Sequence, residues 1–227
     1  MLFDLEPEFL TLFERCSPMS MTSIERMYAL YTSVRYLVEN GIGGDFVECG
    51  VWRGGSAMMM ALVADACGDR SRQIWLYDTF AGMTPPSDDD RQAMTGQLAA
   101  EVLATNAKDT ENPFWGIAER SVVEANLAST GYPVDLLRLI EGDIADTLEA
   151  SAPQSVALLR LDTDWYASTK HELEILYPRL CSGGVLIVDD YGYWTGARRA
   201  VDEYFGSLDH RPLLTRIDFT GRLAIKP

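Results

Sequence analysis

The chain of 227 residues carries 19 Lys and Arg against 34 Asp and Glu, a formal net charge of −15 at pH 7. That surface repels nucleic-acid phosphates and anionic lipid and excludes both as partners, while a hydrophobic share of 47 % excludes global disorder. No apolar run reaches the roughly 20 residues of a membrane span, and the opening MLFDLEPEFL has no basic stretch followed by an apolar one. A soluble, cytoplasmic protein is expected.

The pattern of elements begins with apolar residues at helical spacing over residues 8 to 39, broken at Ser17-Pro18, which predicts two N-terminal helices. Glycines at 41, 43 and 44 then precede a short strand, Phe46 to Val51, that runs into a glycine turn. Ser56 to Ala66 reads as an apolar helix and Ile74 to Asp78 as the next strand, completing a βαβ unit. From Thr79 to about Asn112 lies a stretch longer than an ordinary connection, with Pro85-Pro86 and Asp88-Asp89-Asp90, expected to be an active-site loop with some helix near Gln97 to Ala104. There follow a helix near Gly116 to Ser129, strands Val134 to Glu141 and Val156 to Asp162, a helix Ser168 to Leu180, a strand Val185 to Asp189 and a helix Ala197 to Leu208. Two short strands, Leu213 to Ile217 and Arg222 to Ile225, close the chain as an antiparallel hairpin. Continuous apolar strand runs mark a sheet buried on both faces. The fold class expected is α/β, doubly wound and mostly parallel, with residues 1–43 as an N-terminal helical extension or lid and 44–227 as the main domain.

In such a sheet, ligands bind at the carboxyl ends of the strands. Nearly every strand here ends in a carboxylate: Glu48, Asp78, Glu141 to Asp143, Asp162 to Asp164, and Asp189-Asp190. The first turn, Glu48 to Ser56, has glycines that let a ligand approach the backbone at a helix N-terminus. Its spacing departs from G-x-G-x-x-G, which weakens a nicotinamide or flavin reading. Asp78, ending the second strand, suits a ribose diol and therefore an adenosyl cofactor.

The sharper constellation is Leu161-Asp162-Thr163-Asp164 with Val188-Asp189-Asp190. Neighbouring strands lie about 4.8 Å apart, so three carboxylates should converge, and they repel unless a cation sits between them. The two histidines, His171 and His210, and four dispersed cysteines offer no nitrogen or thiolate site. Oxygen ligands point to Mg²⁺, with Mn²⁺ or Ca²⁺ as substitutes; the competing reading is a capped helix start with one protonated carboxyl. His171 is expected to be structural. Trp165, Tyr166, Tyr191, Tyr193 and Trp194 would line an acceptor pocket or pack the core.

These stretches, from Asp45 to Gly55, Tyr77 to Met83, Leu161 to Thr169 and Gly183 to Tyr191, resemble the macrocin O-methyltransferase family, whose members methylate sugar hydroxyls in antibiotic biosynthesis with S-adenosylmethionine and Mg²⁺. The resemblance implies a Rossmann-like methyltransferase sheet. It implies that Glu48, Gly50 and Gly54 shape the cofactor pocket together with Ser56 and Thr79, that Asp78 holds the ribose, and that Asp143 lies near the adenine. Asp162, Asp189 and Asp190 become metal ligands, with Asp164 as general base beside Asp162. The acceptor would be a small glycoside presenting a vicinal diol, and the chain a homo-oligomer, such as a dimer. A catechol acceptor, a nicotinamide oxidoreductase and a non-catalytic cofactor-binding protein are the rival readings.

Overall fold

Period-two alternation along the strands decides how the layers form. In the computed structural model, which describes residues 4–110 and 112–227, β1 (Asp45–Cys49), β2 (Ile74–Asp78), β3 (Leu137–Glu141), β4 (Val156–Leu161), β5 (Leu180–Val188), β6 (Thr215–Arg216) and β7 (Arg222–Ile225) form one sheet. Residues 1–3 of the expected extension and position 111 of the long loop lie outside the described residues. Phe46, Ile74, Leu76, Leu158, Val185 and Ile187 face one apolar layer, and Val47, Cys49, Tyr77, Leu159, Leu161, Leu186 and Val188 the other.

The first layer is built by α1 (Pro7–Cys16), α2 (Ile24–Glu39), α3 (Gly55–Ala66) and α5 (Arg120–Ala128). Their Phe9, Leu30, Leu37, Met59 and Leu127 join the sheet residues in a single core, so the N-terminal helices are packed into the body of the fold. The second layer holds α6 (Ile144–Ser151), α7 (Tyr166–Leu176) and α8 (Thr195–Gly206), through Leu148, Leu173, Leu176, Val201 and Phe205. A short α4 (Ala99–Ala104) lies within the long loop.

Strand order is β3-β2-β1-β4-β5-β7-β6. The first five are parallel, and β7 runs antiparallel to both β5 and β6, as expected for a doubly wound sheet with a closing hairpin. Order reverses between β1 and β4, which places the ligand crevice at their carboxyl ends.

Four expectations need correction. Residues 144–151 form a helix where none was expected. The strand expected from Val185 starts at Leu180, its pairing with β4 shifting register around Val156 and Leu158. The expected strand from Val134 to Glu141 begins with a 3-10 turn, Val134–Leu136. The helix expected over Ser168 to Leu180 starts at Tyr166 and ends at Leu176, where Tyr177–Arg179 tighten into a 3-10 turn around Pro178.

Candidate active site

Ladder hydrogen bonds continue one residue beyond the strands. Gly50 donates to Tyr77 O at 2.9 Å, Asp162 to Cys49 O at 2.9 Å, Asp189 to Leu161 O at 2.9 Å and Gly142 to Asp78 O at 3.0 Å. The residues that carry chemistry are therefore fixed by the sheet itself. They surround a cavity of about 410 Å³.

One wall is the turn after β1. Gly50 has φ 83°, and a side chain there would collide with the Asp162 carbonyl, so β1 and β4 meet at this point only because position 50 is glycine. Asp78 holds the turn in place. Its Oδ2 accepts from Val51 N at 2.6 Å and Trp52 N at 3.0 Å, and its Oδ1 accepts from Phe80 N at 2.7 Å. Among the described residues, three non-glycine ones have left-handed backbone, Trp52 (φ 48°), Phe80 (φ 51°) and Asp164 (φ 66°), each in the loop following β1, β2 or β4. Such conformations cost of order 1–3 kcal/mol and concentrate where function over-determines the chain.

Gly50, Ser56, Asp78, Thr79 and Asp143 line the cavity, as do Asp162, Asp164, Asp189 and Asp190. Glu48 and Gly54, two of the expected cofactor residues, do not. Gly54 is the N-cap of α3 at φ 87°. Glu48 is 1 % exposed and bound to Arg160. Asp143 also caps α6, its Oδ1 accepting from Ala145 N at 2.9 Å.

Strand parity explains the opposite side. Residues 46 and 48 on β1, 158 and 160 on β4, and 185 and 187 on β5 share one face; continuing it brings Asp162 and Asp189 to the same side as Glu48 and Arg160. Arg160 Nη1 donates to Glu48 Oε1 at 2.7 Å and to Asp162 Oδ2 at 2.7 Å, and Nη2 donates to Asp189 Oδ1 at 2.6 Å. On this face lie the N-terminal helices, and from α2 Arg26 pairs with Asp189 through Nη1 and with Asp218 through Nε at 3.0 Å.

Three carboxylates, from Asp162, Asp189 and Asp190, bring oxygens within 4.8 Å of one another. Asp190 Oδ2 is buried without a hydrogen-bond partner. An all-carboxylate donor set with a buried oxygen left over fits a hard divalent ion. Burial, then the neighbouring Asp162, raise the pKa of Asp164 and Asp189; burial, then Asp164, raise that of Asp190. Crowded carboxylates of this kind favour protonation until a cation takes the place of the protons.

The family profile of macrocin-O-methyltransferase (TylF) matches residues 15–224. The chain belongs to this family. A tetracenomycin relative from Streptomyces olivaceus, named 8-demethyl-8-(2,3-dimethoxy-alpha-L-rhamnosyl)-tetracenomycin-C 4'-O-methyltransferase, is 35 % identical over 206 residues, 89 % of this chain and 73 % of that protein. Mycinamicin III 3''-O-methyltransferase of Micromonospora griseorubida is 31 % identical over 82 % of this chain and 69 % of its own length. The solved structure of the O-methyltransferase NovP superposes with a TM-score of 0.77 at 30 % identity, covering 92 % of this chain and 82 % of that one.

The macrocin O-methyltransferase fold is thus the one observed, and the enzyme is an S-adenosylmethionine-dependent O-methyltransferase. Membership decides against a nicotinamide oxidoreductase. Of the expected acceptor aromatics, Trp165, Tyr193 and Trp194 line the cavity, with Trp165 and Trp194 also packed edge to face at 5.0 Å. Tyr166 and Tyr191 do not line it; their hydroxyls donate to Glu203 and Asp202.

Sequence reading missed Arg160, Arg26 and Asp90. The signal for Arg160 was a charge inside an otherwise apolar strand. Asp90 is 0 % exposed; its Oδ1 accepts from Tyr166 N at 2.8 Å and its Oδ2 from Ser87 N at 2.7 Å, which pins the long loop to the start of α7.

Proposed function

We propose that this chain transfers the methyl group of S-adenosylmethionine to a hydroxyl of a sugar, one of a vicinal diol, on a small natural product, with Mg²⁺ held by Asp162, Asp189 and Asp190. The observation that carries the reading is the convergence of those carboxylates on the cavity that the Gly50 to Ser56 turn also lines. The rhamnosyl group in the name of the tetracenomycin relative supports a glycoside acceptor.

The turn after β1 would receive the cofactor, with the first N–H groups of α3 facing its carboxylate. Asp78 lines the cavity, and its carboxylate, held by backbone N–H groups, would accept from a ribose hydroxyl. A bound divalent ion supplies a lowered hydroxyl pKa and a fixed orientation for two adjacent hydroxyls. S-adenosylmethionine, when bound, would supply the methyl group to the acceptor oxygen and leave as the neutral thioether, and Asp164 would take the hydroxyl proton. Asp164 is fixed for that role, since its Oδ1 accepts the Trp194 indole N–H at 2.7 Å.

The cavity mouth carries Met21, Phe114 and Phe219, which are 49, 41 and 56 % exposed. These suit an apolar aglycone. Residues 19–22 line the cavity as well, and this part of the extension serves as its cover. A side chain at Gly55 would stand 2.6 Å from Met19 O, so this segment lies directly on the first turn of α3. Four free thiols fit a reducing, cytoplasmic setting.

The test is methyl transfer from S-adenosylmethionine to a panel of deoxysugar glycosides and catechols, with EDTA and with Mg²⁺ added back. Glycoside turnover lost on chelation and restored by Mg²⁺ is expected. Full turnover in EDTA would remove the ion from the reaction, and a preference for catechols would change the acceptor class.

A further inference from the structure

Arg160 stands two residues before Asp162 in a strand whose other residues are Val, Ala and Leu. Its side chain is 4 % exposed. A guanidinium buried there carries a large desolvation penalty, so its partners indicate what it is for. All three of its close contacts are carboxylates, and two of them belong to the cation site.

Glu48 faces Arg160 in register across β1 and β4. Oε1 accepts from Arg160 and Oε2 has no partner, and the residue does not line the cavity. Everything Glu48 binds through its side chain is therefore Arg160. We propose that Arg160 and Glu48 are a positioning pair for the cation site: Glu48 fixes the guanidinium, which holds one oxygen of Asp162 and one of Asp189 and leaves the second oxygen of Asp162 turned to the ion. This rests on the metal reading above.

The sheet fixes the backbone of Asp162 and Asp189 through their ladder bonds, yet their carboxylates can still rotate. Mutual repulsion would turn them apart. A planar guanidinium has two nitrogens at a set spacing and can span both, whereas an ammonium is a single point of charge. Arg160 alone would repel a divalent ion. The carboxylates of Asp162 and Asp189 that accept from it offset that charge, so its contribution to the site is orientation.

The experiment measures Mn²⁺ binding by electron paramagnetic resonance, and S-adenosylmethionine binding by calorimetry, for the wild type and for Glu48→Gln, Arg160→Lys and Arg160→Met. Mn²⁺ affinity is expected to fall on the order of 10- to 100-fold in both Arg160 variants, the usual effect of removing a group that orients a ligand. Glu48→Gln should lose less, because its oxygen still accepts from Arg160, and its cofactor affinity should be unchanged. Should Arg160→Met fail to fold, Glu48→Gln and Arg160→Lys decide the matter. Wild-type Mn²⁺ affinity in both would overturn the proposal, as would a Glu48→Gln variant that loses S-adenosylmethionine affinity alone. If the wild type itself binds no Mn²⁺, the metal reading falls, a result distinct from either.

Discussion

Trp194 donates its indole N–H to Asp164 Oδ1 at 2.7 Å, joining the residue that precedes α8 to the loop that follows β4. Trp194 is 4 % exposed and is held edge to face between Trp165 and Tyr193, with ring centroids 5.0 Å away in each case. A rigid donor thus aims a carboxylate whose own backbone is left-handed. Asp164→Asn should lower kcat on the order of 10²- to 10⁴-fold, the ordinary contribution of a placed base. Trp194→Phe keeps the aromatic packing and loses the donor, and should cost up to about 10²-fold in kcat through misplacement. Steady-state kinetics with parallel cofactor titrations check both; an unchanged kcat in Trp194→Phe would show that the bond does not position the base.

Asp90 fastens the long loop by a different device. Its carboxylate accepts the Ser87 N–H and hydroxyl and the first N–H of α7, and it is wholly buried. Removing it leaves those donors unpaired in the interior. Asp90→Ala should destabilise the fold by roughly 3 kcal/mol in urea unfolding. It should also open the loop around Met94, which is 87 % exposed, to limited proteolysis.

Glu172 offers a stability test behind the loop that follows β4. It is 0 % exposed on α7; Thr163 Oγ1 donates to Oε1 at 2.8 Å and Oε2 has no partner. Burial pushes its pKa from the usual 4.5 up to about 8. Between those values the folded chain keeps a proton that the unfolded chain releases, so this group's contribution to stability falls as pH rises toward 8 and is level above it. Glu172→Gln should raise Tm at pH 8 and change it little below pH 5, as thermal unfolding across that range will show. Equal effects at both ends would contradict a neutral buried Glu172.

Arg26 is the bolt of the N-terminal segment, since it binds Asp189 and Asp218 while Ser23 Oγ donates to Asp218 at 2.7 Å and Thr22 Oγ1 to Asp189 at 3.3 Å. Arg26→Ala removes one charged partner from Asp189, which keeps Arg160, and one from Asp218, which keeps Ser23, and should cost about 2 kcal/mol. Amide exchange should quicken over Met19 to Arg26, and acceptor KM should rise more than cofactor affinity falls. An unaltered exchange pattern there would mean that other contacts hold the segment.

How far the sequence foretold this follows from where each signal resides. The strands were legible because both faces of the sheet are apolar, and the carboxylates because they occupy the first positions after strands, where the topology itself gathers them. Helix α6 was missed since only Ile144 and Leu148 are buried along it, too few to show a period. The front of β5 was hidden by Cys181-Ser182-Gly183-Gly184, which reads as a turn and does hold one left-handed residue, Gly183 at φ 77°. The family resemblance gave Glu48 to the cofactor pocket. Side-chain parity sends it instead to the face of Arg160, and the pairing of β1 with β4, a contact between distant residues, had to be known to see that.

The cavity draws its walls from two kinds of sequence. Gly50, Asp78, Asp162 and Asp189 sit at strand ends in the middle of the sheet, whereas Met21, Phe114 and Phe219 come from the N-terminal segment, the long loop and the final hairpin. Peripheral stretches of this sort can be exchanged during evolution while the sheet edge stays as it is. A lineage built on this scaffold can accordingly be retooled for new acceptors without relearning how to move a methyl group.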